Sequence, residues 1–588
     1  MKRNFKSLMK LFLFLFPTIL VLVSVFKFFK WTNESLSPYT TLTSALADNK
    51  SQIEFLPIKI DWHDWHQIHL EKLRTGIGEH GARAKISLSE AKTKYDTLYK
   101  VNGFNALLSD SISLNRSIPD IRHELCKSKK YRYKLPTVSV IVPFHNEHFS
   151  VLLRTVYSVL NRSPKSLLGE IILVDDFSTK VHCKGPLDEF VSINFKEKVQ
   201  VIHLKKREGL IRARLAGAKI ATNEVLIFLD SHTEANVNWL PPLLEPITED
   251  YRTCVCPFID VIDYETFEYR AQDEGARGAF DWEFFYKRLP LLPDDLLNPT
   301  KPFRSPVMAG GLFAISARWF WELGGYDPGL DIWGGEQYEL SFKIWQCGGM
   351  IVDAPCSRVG HIYRKFAPFP NPGIGDFIGK FNFQNYRRVV EVWMDEYGEY
   401  IYKRKPNYRN IYPGDLTEQK KIREKLKCKS FKWFIKEIAF DLVEKYPFIE
   451  PPNIGHGKIR SLNAPELCLD STSEDKLKLK DCSDNDDQTF LLSWRKDIRK
   501  KNNMCLDVSD PSIRGQVGFY KCHSSGGNQL WRYDHIRKML VHGTNHRCLE
   551  SDISTRKVYV THCQIDNDDQ KWIIEHINSN ATNWTLNP

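Results

Sequence analysis

Residues 225–239 read V-L-I-F-L-D-S-H-T-E-A-N-V-N-W, and the fold turns on this stretch. Val225 to Leu229 are consecutive apolar residues, the pattern of a strand buried on both faces of a parallel sheet. The run ends in Asp230-Ser231-His232. Open α/β sheets bind ligands beyond the carboxyl ends of their strands. Asp230 and His232 are two apart, so on extended backbone they project to one side. A carboxylate and an imidazole placed so can hold one divalent cation. The competing reading is a strand-end turn with a capping Asp.

Upstream, the same grammar repeats. Val138 to Val142 form a first buried strand, followed by Pro143-Phe144-His145-Asn146-Glu147 and a helix over 150–160. Ile171 to Val174 form a second strand, ending in Asp175-Asp176. Val201 to Leu204 form a third, followed by Arg207-Glu208-Gly209-Leu210 and a helix over 211–220. Strands alternating with helices predict a parallel sheet covered on both faces. Asp176, Arg207 and Asp230 all sit just past strand ends, which is how such a sheet builds a nucleotide site. No Gly-x-Gly-x-x-Gly follows the first strand and no Gly-x-x-x-x-Gly-Lys-Ser/Thr occurs, which disfavours a dinucleotide enzyme and a P-loop NTPase.

Downstream, Ala309 to Phe313 is a glycine-rich turn into a strand, and Asp331 to Glu336 (DIWGGE) precedes a helix over 338–345. Trp333 offers an apolar face there and Glu336 a carboxylate. Ser357 to His361 follows a short strand and supplies a second imidazole. Asp230, His232 and His361 together would hold one cation and leave positions open for phosphate oxygens. Oxygen with imidazole ligation suits Mn2+.

The chain has 588 residues, enough for three or four domains. Its 42% apolar and 26% charged content is that of a globular protein. The net charge of +10 is mild and comes without a base-stacking module, so nucleic-acid binding is disfavoured. The 13 cysteines lack Cys-x-x-Cys pairs and suggest disulfides in an oxidising compartment. Residues 1–10 are basic, and residues 11–31 carry the apolar run LFLFLFPTILVLVSVF with Lys27 and Lys30 behind it. We read a cytoplasmic tail, then an uncleaved signal-anchor helix with the remainder lumenal. Sequons at Asn33, Asn115, Asn580 and Asn583 fit that exposure. Residues 32–100 show no sustained period and read as a stem. The Trp62-His63-Asp64-Trp65-His66 tract reads as a local packing patch rather than a metal site.

At the C-terminus a threefold repeat follows a proline-marked linker (Pro447, Pro451, Pro452). Cys468-Leu469-Asp470 runs to Cys482 and Gln488-Thr489-Phe490. Cys505-Leu506-Asp507 runs to Cys522 and Gln529-Leu530-Trp531. Cys548-Leu549-Glu550 runs to Cys563 and Gln570-Lys571-Trp572. The pattern resembles the ricin-type β-trefoil lectin, with disulfides Cys468–Cys482, Cys505–Cys522 and Cys548–Cys563 inside the units. A sugar pocket needs a carboxylate, an aromatic face and an amide. The middle unit has Asp507, Tyr520 and Asn528, with His523 nearby. The first has Lys480 where the aromatic should be, and the third has Thr561. The middle unit is therefore the expected sugar site.

The motifs VPFHNE, VDD, REGL, DSH, AGGLF, WGGE, LSFKIWQCGG and SRVGHIYRK, from GFNALLSD at residue 103 onward, resemble those of the polypeptide N-acetylgalactosaminyltransferases. Pro143 and Gln337-Tyr338 resemble the subfamily that prefers acceptors already carrying GalNAc. The resemblance implies a GT-A catalytic domain over 101–440, a linker over 441–455 and a lectin domain over 456–588. It implies a UDP-GalNAc donor, Mn2+, and retaining transfer to Ser or Thr hydroxyls of peptides or GalNAc-glycopeptides, at the Golgi membrane. By motif, Asp230, His232 and His361 are the metal ligands, with Ser231 between the first two in the donor site. Asp176 and Arg207 contact the uridine beside Leu210. Trp333 lines the donor site, Glu336 holds the sugar and Arg364 meets the pyrophosphate. Asp230, His232, Trp333 and Glu336 form the expected catalytic set. Cys126 pairs with Cys356 and Cys347 with Cys428 by the same resemblance, while Cys183, Cys254 and Cys256 have no assigned partner. Two departures stand out: Pro143 where many members have Thr, and Phe369 where many have Tyr. The alternative is an inactive member acting as a GalNAc-binding lectin.

Overall fold

The structure is a computed structural model that describes residues 57–87, 91–272, 275–366, 368, 380–472, 476–510, 512–523, 526–543 and 546–578. The predicted anchor, three of the four sequons and Phe369 lie outside the described residues. Among the described residues no helix is long and apolar enough to cross a membrane.

The core of the larger α/β region is a mixed sheet. Its leading strands are β1 (Val138–Phe144), β2 (Leu168–Asp175), β3 (Val199–His203) and β4 (Val225–Phe228). All four run parallel, in the order β4-β1-β2-β3. Every residue of β1 and β4 is buried; β4 is unbroken apolar, and the one polar residue of β1, Ser139, donates its hydroxyl to Glu170. Helices α1 (Phe149–Arg162) and α2 (Leu210–Ile220) make the crossovers. Beyond β4 the sheet becomes mixed. Strands β5 (Thr233–Ala235), β6 (Thr253–Ile262), β7 (Phe303–Arg304), β8 (Phe313–Ser316) and β9 (Met350–Ile362) complete the sheet. Strand β8 runs antiparallel to both β4 and β6, while β9 runs parallel to β6 and antiparallel to β5.

Two expectations are corrected. The strand before His361 is not short: β9 has 13 residues and includes His361 itself. The stem is not featureless after residue 64. A helix spans Trp65–Lys72, capped by the Asp64 side chain, and another spans Lys92–Asn102. Glu71 on the first is buried and accepts hydrogen bonds from Arg162 of α1. A buried carboxylate against a buried guanidinium fixes that helix to the core, since either charge alone would be costly there. A separate small unit contains a two-residue strand pairing, Lys59–Ile60 with Tyr131–Arg132. There the Trp62 indole donates to the Arg132 carbonyl, so that part of the tract is packing.

The C-terminal region is all β. Its strands include β10 (Gly455–Ser461), β11 (Leu467–Asp470), β12 (Lys478–Asp481), β13 (Met504–Asp507), β14 (Gly518–Lys521), β15 (Arg547–Asp552) and β16 (Lys557–His562). The repeat acquires a physical reason. In each unit the Gln side-chain amide donates to the acid that follows Cys-Leu: Gln488 to Asp470 at 3.1 Å, Gln529 to Asp507 at 2.9 Å and Gln570 to Glu550 at 2.7 Å. Its oxygen accepts from a backbone N–H just past the second cysteine, at Ser483, His523 and Gln564. Acid and Gln thus close each unit around its disulfide. All five expected disulfides are formed, and Cys183, Cys254 and Cys256 are free and buried.

Candidate active site

The site gathers at the carboxyl ends of β1, β2 and β4, where β9 returns alongside β5. Asp230 and His232 lie just past β4. His361 is delivered by β9, in register with Thr233. One potential ligand atom from each of Asp230, His232 and His361 lies within 4.8 Å of the others. The two imidazole rings have centroids 4.7 Å apart, and His361 Nε2 is 3.4 Å from Asp230 Oδ2. His361 Nδ1 is buried and has no hydrogen-bond partner among the described residues. Three converging donors fit a divalent cation, and one carboxylate with two imidazoles is a donor set that accepts first-row divalent metals, Mn2+ among them.

Two residues that hold these ligands went unread in the sequence. Glu147, the last residue of VPFHNE, is buried and accepts from Ser231 Oγ at 2.7 Å, His232 Nδ1 at 3.0 Å and Arg364 at 2.5 Å. A carboxylate can only accept, so His232 carries its proton on Nδ1 and keeps the Nε2 lone pair free for a metal. Burial would raise the Glu147 carboxyl, but the Arg364 guanidinium and His232 hold it well below the usual range. Arg214 of α2 is wholly buried. It donates to Asp230 Oδ1 at 3.1 Å and to the carbonyls of Gly310 and Gly311 at 2.8 and 3.0 Å. Burial opposes ionisation of Asp230 as well, yet His361 and Arg214 keep its carboxyl below the ordinary value. A motif register could have pointed to Glu147. Nothing local marks Arg214, since its partners are 16 to 97 residues away.

Asp176 and Arg207 are brought together as an ion pair. Asp176 also accepts from the backbone of Glu208 and Gly209 at 2.7 and 2.8 Å, which ties the REGL turn to β2. Gly209 has φ +86°, and a Cβ there would meet Ile332 Cα at 2.3 Å, so only glycine fits. Leu210, the first residue of α2, donates its N–H to the Ile332 carbonyl. The WGGE turn is thereby pinned beside REGL. Asn385 clamps it from the other side, donating to the carbonyls of Asp331 and Gly334 at 2.8 and 2.7 Å. Trp333 stands 54% exposed on this turn, free to face a ligand. Glu336 opens helix α3 (Glu336–Gln346) and accepts from the Gly334 N–H at 2.7 Å, with burial raising its carboxyl. Gly311, in the turn before β8, approaches the site: a Cβ there would lie 2.9 Å from Asp230 Oδ2. Pro143 sits within β1, opposite Val174 of β2, and has no N–H to donate.

In the middle lectin unit Asp507 accepts from Asn528 at 2.7 Å, and Asn528 Oδ1 is 3.1 Å from His523 Nε2. Tyr520 is 51% exposed beside them. The first unit is closed instead: Lys480, paired across from Cys468 as Tyr520 is from Cys505, lies 3.0 Å from Asp470. In the third, Tyr559 and Asn567 both bond Glu550.

Comparison with known proteins places these parts in a family context. The glycosyl transferase family 2 model matches residues 139–324, the N-terminal domain of galactosyltransferase model matches 297–366, and the ricin-type beta-trefoil lectin domain model matches 455–572. N-acetylgalactosaminyltransferase 6 of Drosophila melanogaster is 54% identical over 89% of this chain and 80% of its own length. Human polypeptide N-acetylgalactosaminyltransferase 10 is 49% identical over 88% of this chain and 87% of its own. The crystal structure of GalNAc-T7 with UDP, GalNAc and Mn2+ aligns at a TM-score of 0.62 and 40% identity, covering 86% of this chain and 94% of that one.

Proposed function

We propose, given that this chain belongs to the polypeptide N-acetylgalactosaminyltransferase family, that it transfers GalNAc from UDP-GalNAc to Ser and Thr hydroxyls of polypeptides with retention of configuration. We propose further that it favours acceptors already bearing GalNAc, guided by the middle lectin unit. The observation that carries the reading is the convergence of Asp230, His232 and His361 at the strand ends, with Asp230 held by Arg214 and His232 by Glu147. Nothing in that arrangement favours the inactive-lectin alternative.

Asp230, His232 and His361 would hold Mn2+, which when bound offsets charge developing on the leaving diphosphate. The remaining work falls to the chain itself. Glu147 fixes the His232 tautomer and anchors Arg364, whose guanidinium is the cationic group placed for the diphosphate. Arg214 holds Asp230 ionised and in position. Asp176 and Arg207 present the uridine contacts, and Pro143 removes one donor from that pocket. Glu336 and Trp333 face the sugar from a turn that Asn385 keeps rigid. Residues 11–31 are proposed as a signal anchor, with the catalytic and lectin domains in the Golgi lumen.

The test is transfer from UDP-GalNAc by a soluble form beginning at Asn49, using paired bare and GalNAc-bearing peptides with and without Mn2+. Metal-dependent transfer favouring the glycopeptide is expected. Equal transfer to both would remove the glycopeptide preference, and no transfer with GalNAc binding retained would restore the lectin alternative.

A further inference from the structure

The first lectin unit carries a feature that the sugar-site reading does not use. From residue 476 to 480 the chain alternates exposed and buried: Lys476, Lys478 and Lys480 are exposed, while Leu477 and Leu479 are 2% and 1% exposed. The three ammonium groups therefore leave one face of extended backbone, about 6.6 Å apart from one to the next. Lys478 of β12 is also paired directly across from Lys557 of β16. Like charges directly opposite one another destabilise a sheet. Lys480 is neutralised by Asp470 at 3.0 Å. Lys476, Lys478 and Lys557 make no ion pair among the described residues. Glu474 and Asp475, which precede the row, lie outside the described residues.

A site for neutral sugar is poorly served here. The carboxylate of this unit is engaged by Thr472, Lys480 and Gln488, and no aromatic ring stands where Tyr520 stands in the middle unit. What remains outward is Lys476 and Lys478, at the spacing of alternate residues on an extended chain, with Lys557 beside Lys478 on the neighbouring strand. An acidic polypeptide in extended conformation presents carboxylates at the same interval. We infer that the Lys476–Lys478–Lys557 face docks an extended acidic segment of the polypeptide acceptor, so that the first lectin unit selects acceptors by charge while the middle unit selects them by sugar. This inference rests on the transferase reading and adds a second determinant of acceptor choice.

The experiment compares the soluble parent with Lys476→Ser/Lys478→Ser/Lys557→Ser, leaving Lys480 and its Asp470 contact intact. Both are assayed on peptides of one acceptor sequence joined to either a Glu-x-Glu-x-Glu tract or its Gln counterpart. Exposed ion pairs are individually weak, so three together should give the parent a preference for the acidic peptide of about three- to tenfold in kcat/KM at low salt. That preference should fall below about twofold in the variant, and in the parent at high salt, where exposed charges are screened. Lys478→Glu/Lys557→Glu should reverse it. Transfer with the same acidic preference in parent and variant, or with none in the parent, overturns the inference and leaves the transferase reading standing. No transfer by the parent to any peptide overturns the transferase reading instead. The row is then judged by salt-dependent binding of the labelled acidic peptide to parent and variant, where equal binding overturns it. Loss of heparin binding in the variant with acidic-peptide selection unchanged would assign the face to a sulfated polysaccharide and likewise overturn the inference.

Discussion

Glu147 shows how much one buried carboxylate can organise. It receives Ser231, His232 and Arg364 at once, so a single group orients one imidazole of the candidate cation cluster and the Arg364 guanidinium beside it. Glu147→Gln keeps the shape but replaces one acceptor oxygen with an amide. Groups that orient metal ligands cost about 10- to 100-fold in metal affinity when changed. We expect Mn2+ titration of the Glu147→Gln enzyme to show an activation constant raised by about that factor, with activity recovered at high Mn2+. An unchanged activation constant would show that His232 needs no support. The residue was visible in VPFHNE, but its role was not. The motif gives a carboxylate at a strand end, and only the approach of Ser231, His232 and Arg364, 84 to 217 residues away, makes it a hub.

Among elements, β9 does the most. One continuous strand carries Cys356 to its disulfide, Arg358 to a buried ion pair with Asp260, and His361 to the candidate cation cluster. Its Asp353 pairs opposite Cys256 on β6. Burial lifts the Asp353 carboxyl to about 7, and Ser305 and Arg288 offset only part of that. An unfolded Asp titrates near 3.9, so folding here favours the protonated form. The stability it contributes is whole below about pH 4 and is lost as pH rises through about 7. Asp353→Asn cannot ionise. Its melting temperature relative to the parent should therefore climb between pH 4 and pH 8, by roughly 2–4 °C per kcal/mol recovered. A difference that does not change with pH would mean that the carboxyl ionises as freely in the fold as outside it.

At the scale of the whole molecule, a glycosyltransferase domain and a ricin-type lectin domain share one chain, and the sugar site proposed in the second can be tested apart from transfer. Asp507→Asn retains an acceptor for Gln529 but removes the charge, and hydrogen bonds to charged groups exceed neutral ones by about 1 kcal/mol or more. GalNAc binding should weaken roughly tenfold. Preference for glycopeptide should fall with it, while transfer to bare peptide stays at the parent rate. Retained glycopeptide preference would move the sugar site to another unit. The signal-anchor proposal is tested by fusing residues 1–56 to a fluorescent reporter. Golgi retention with the reporter protected from external protease is expected, and a secreted or cytosolic reporter would sink it.

The sequence by itself determined the parallel half of the sheet, the trefoil repeat and the three residues of the candidate cation cluster. Each of these is written in short-range pattern: unbroken apolar runs, a threefold Cys-Leu-acid spacing, Asp-x-His at a strand end. Tertiary structure alone decided that β8 turns antiparallel, that Trp65–Lys72 packs on the core, and that Glu147, Arg214 and Asn385 support the site. These depend on which distant groups meet. A buried carboxylate, guanidinium or amide is positioned by the partners that satisfy it, and those partners leave no periodic mark along the chain.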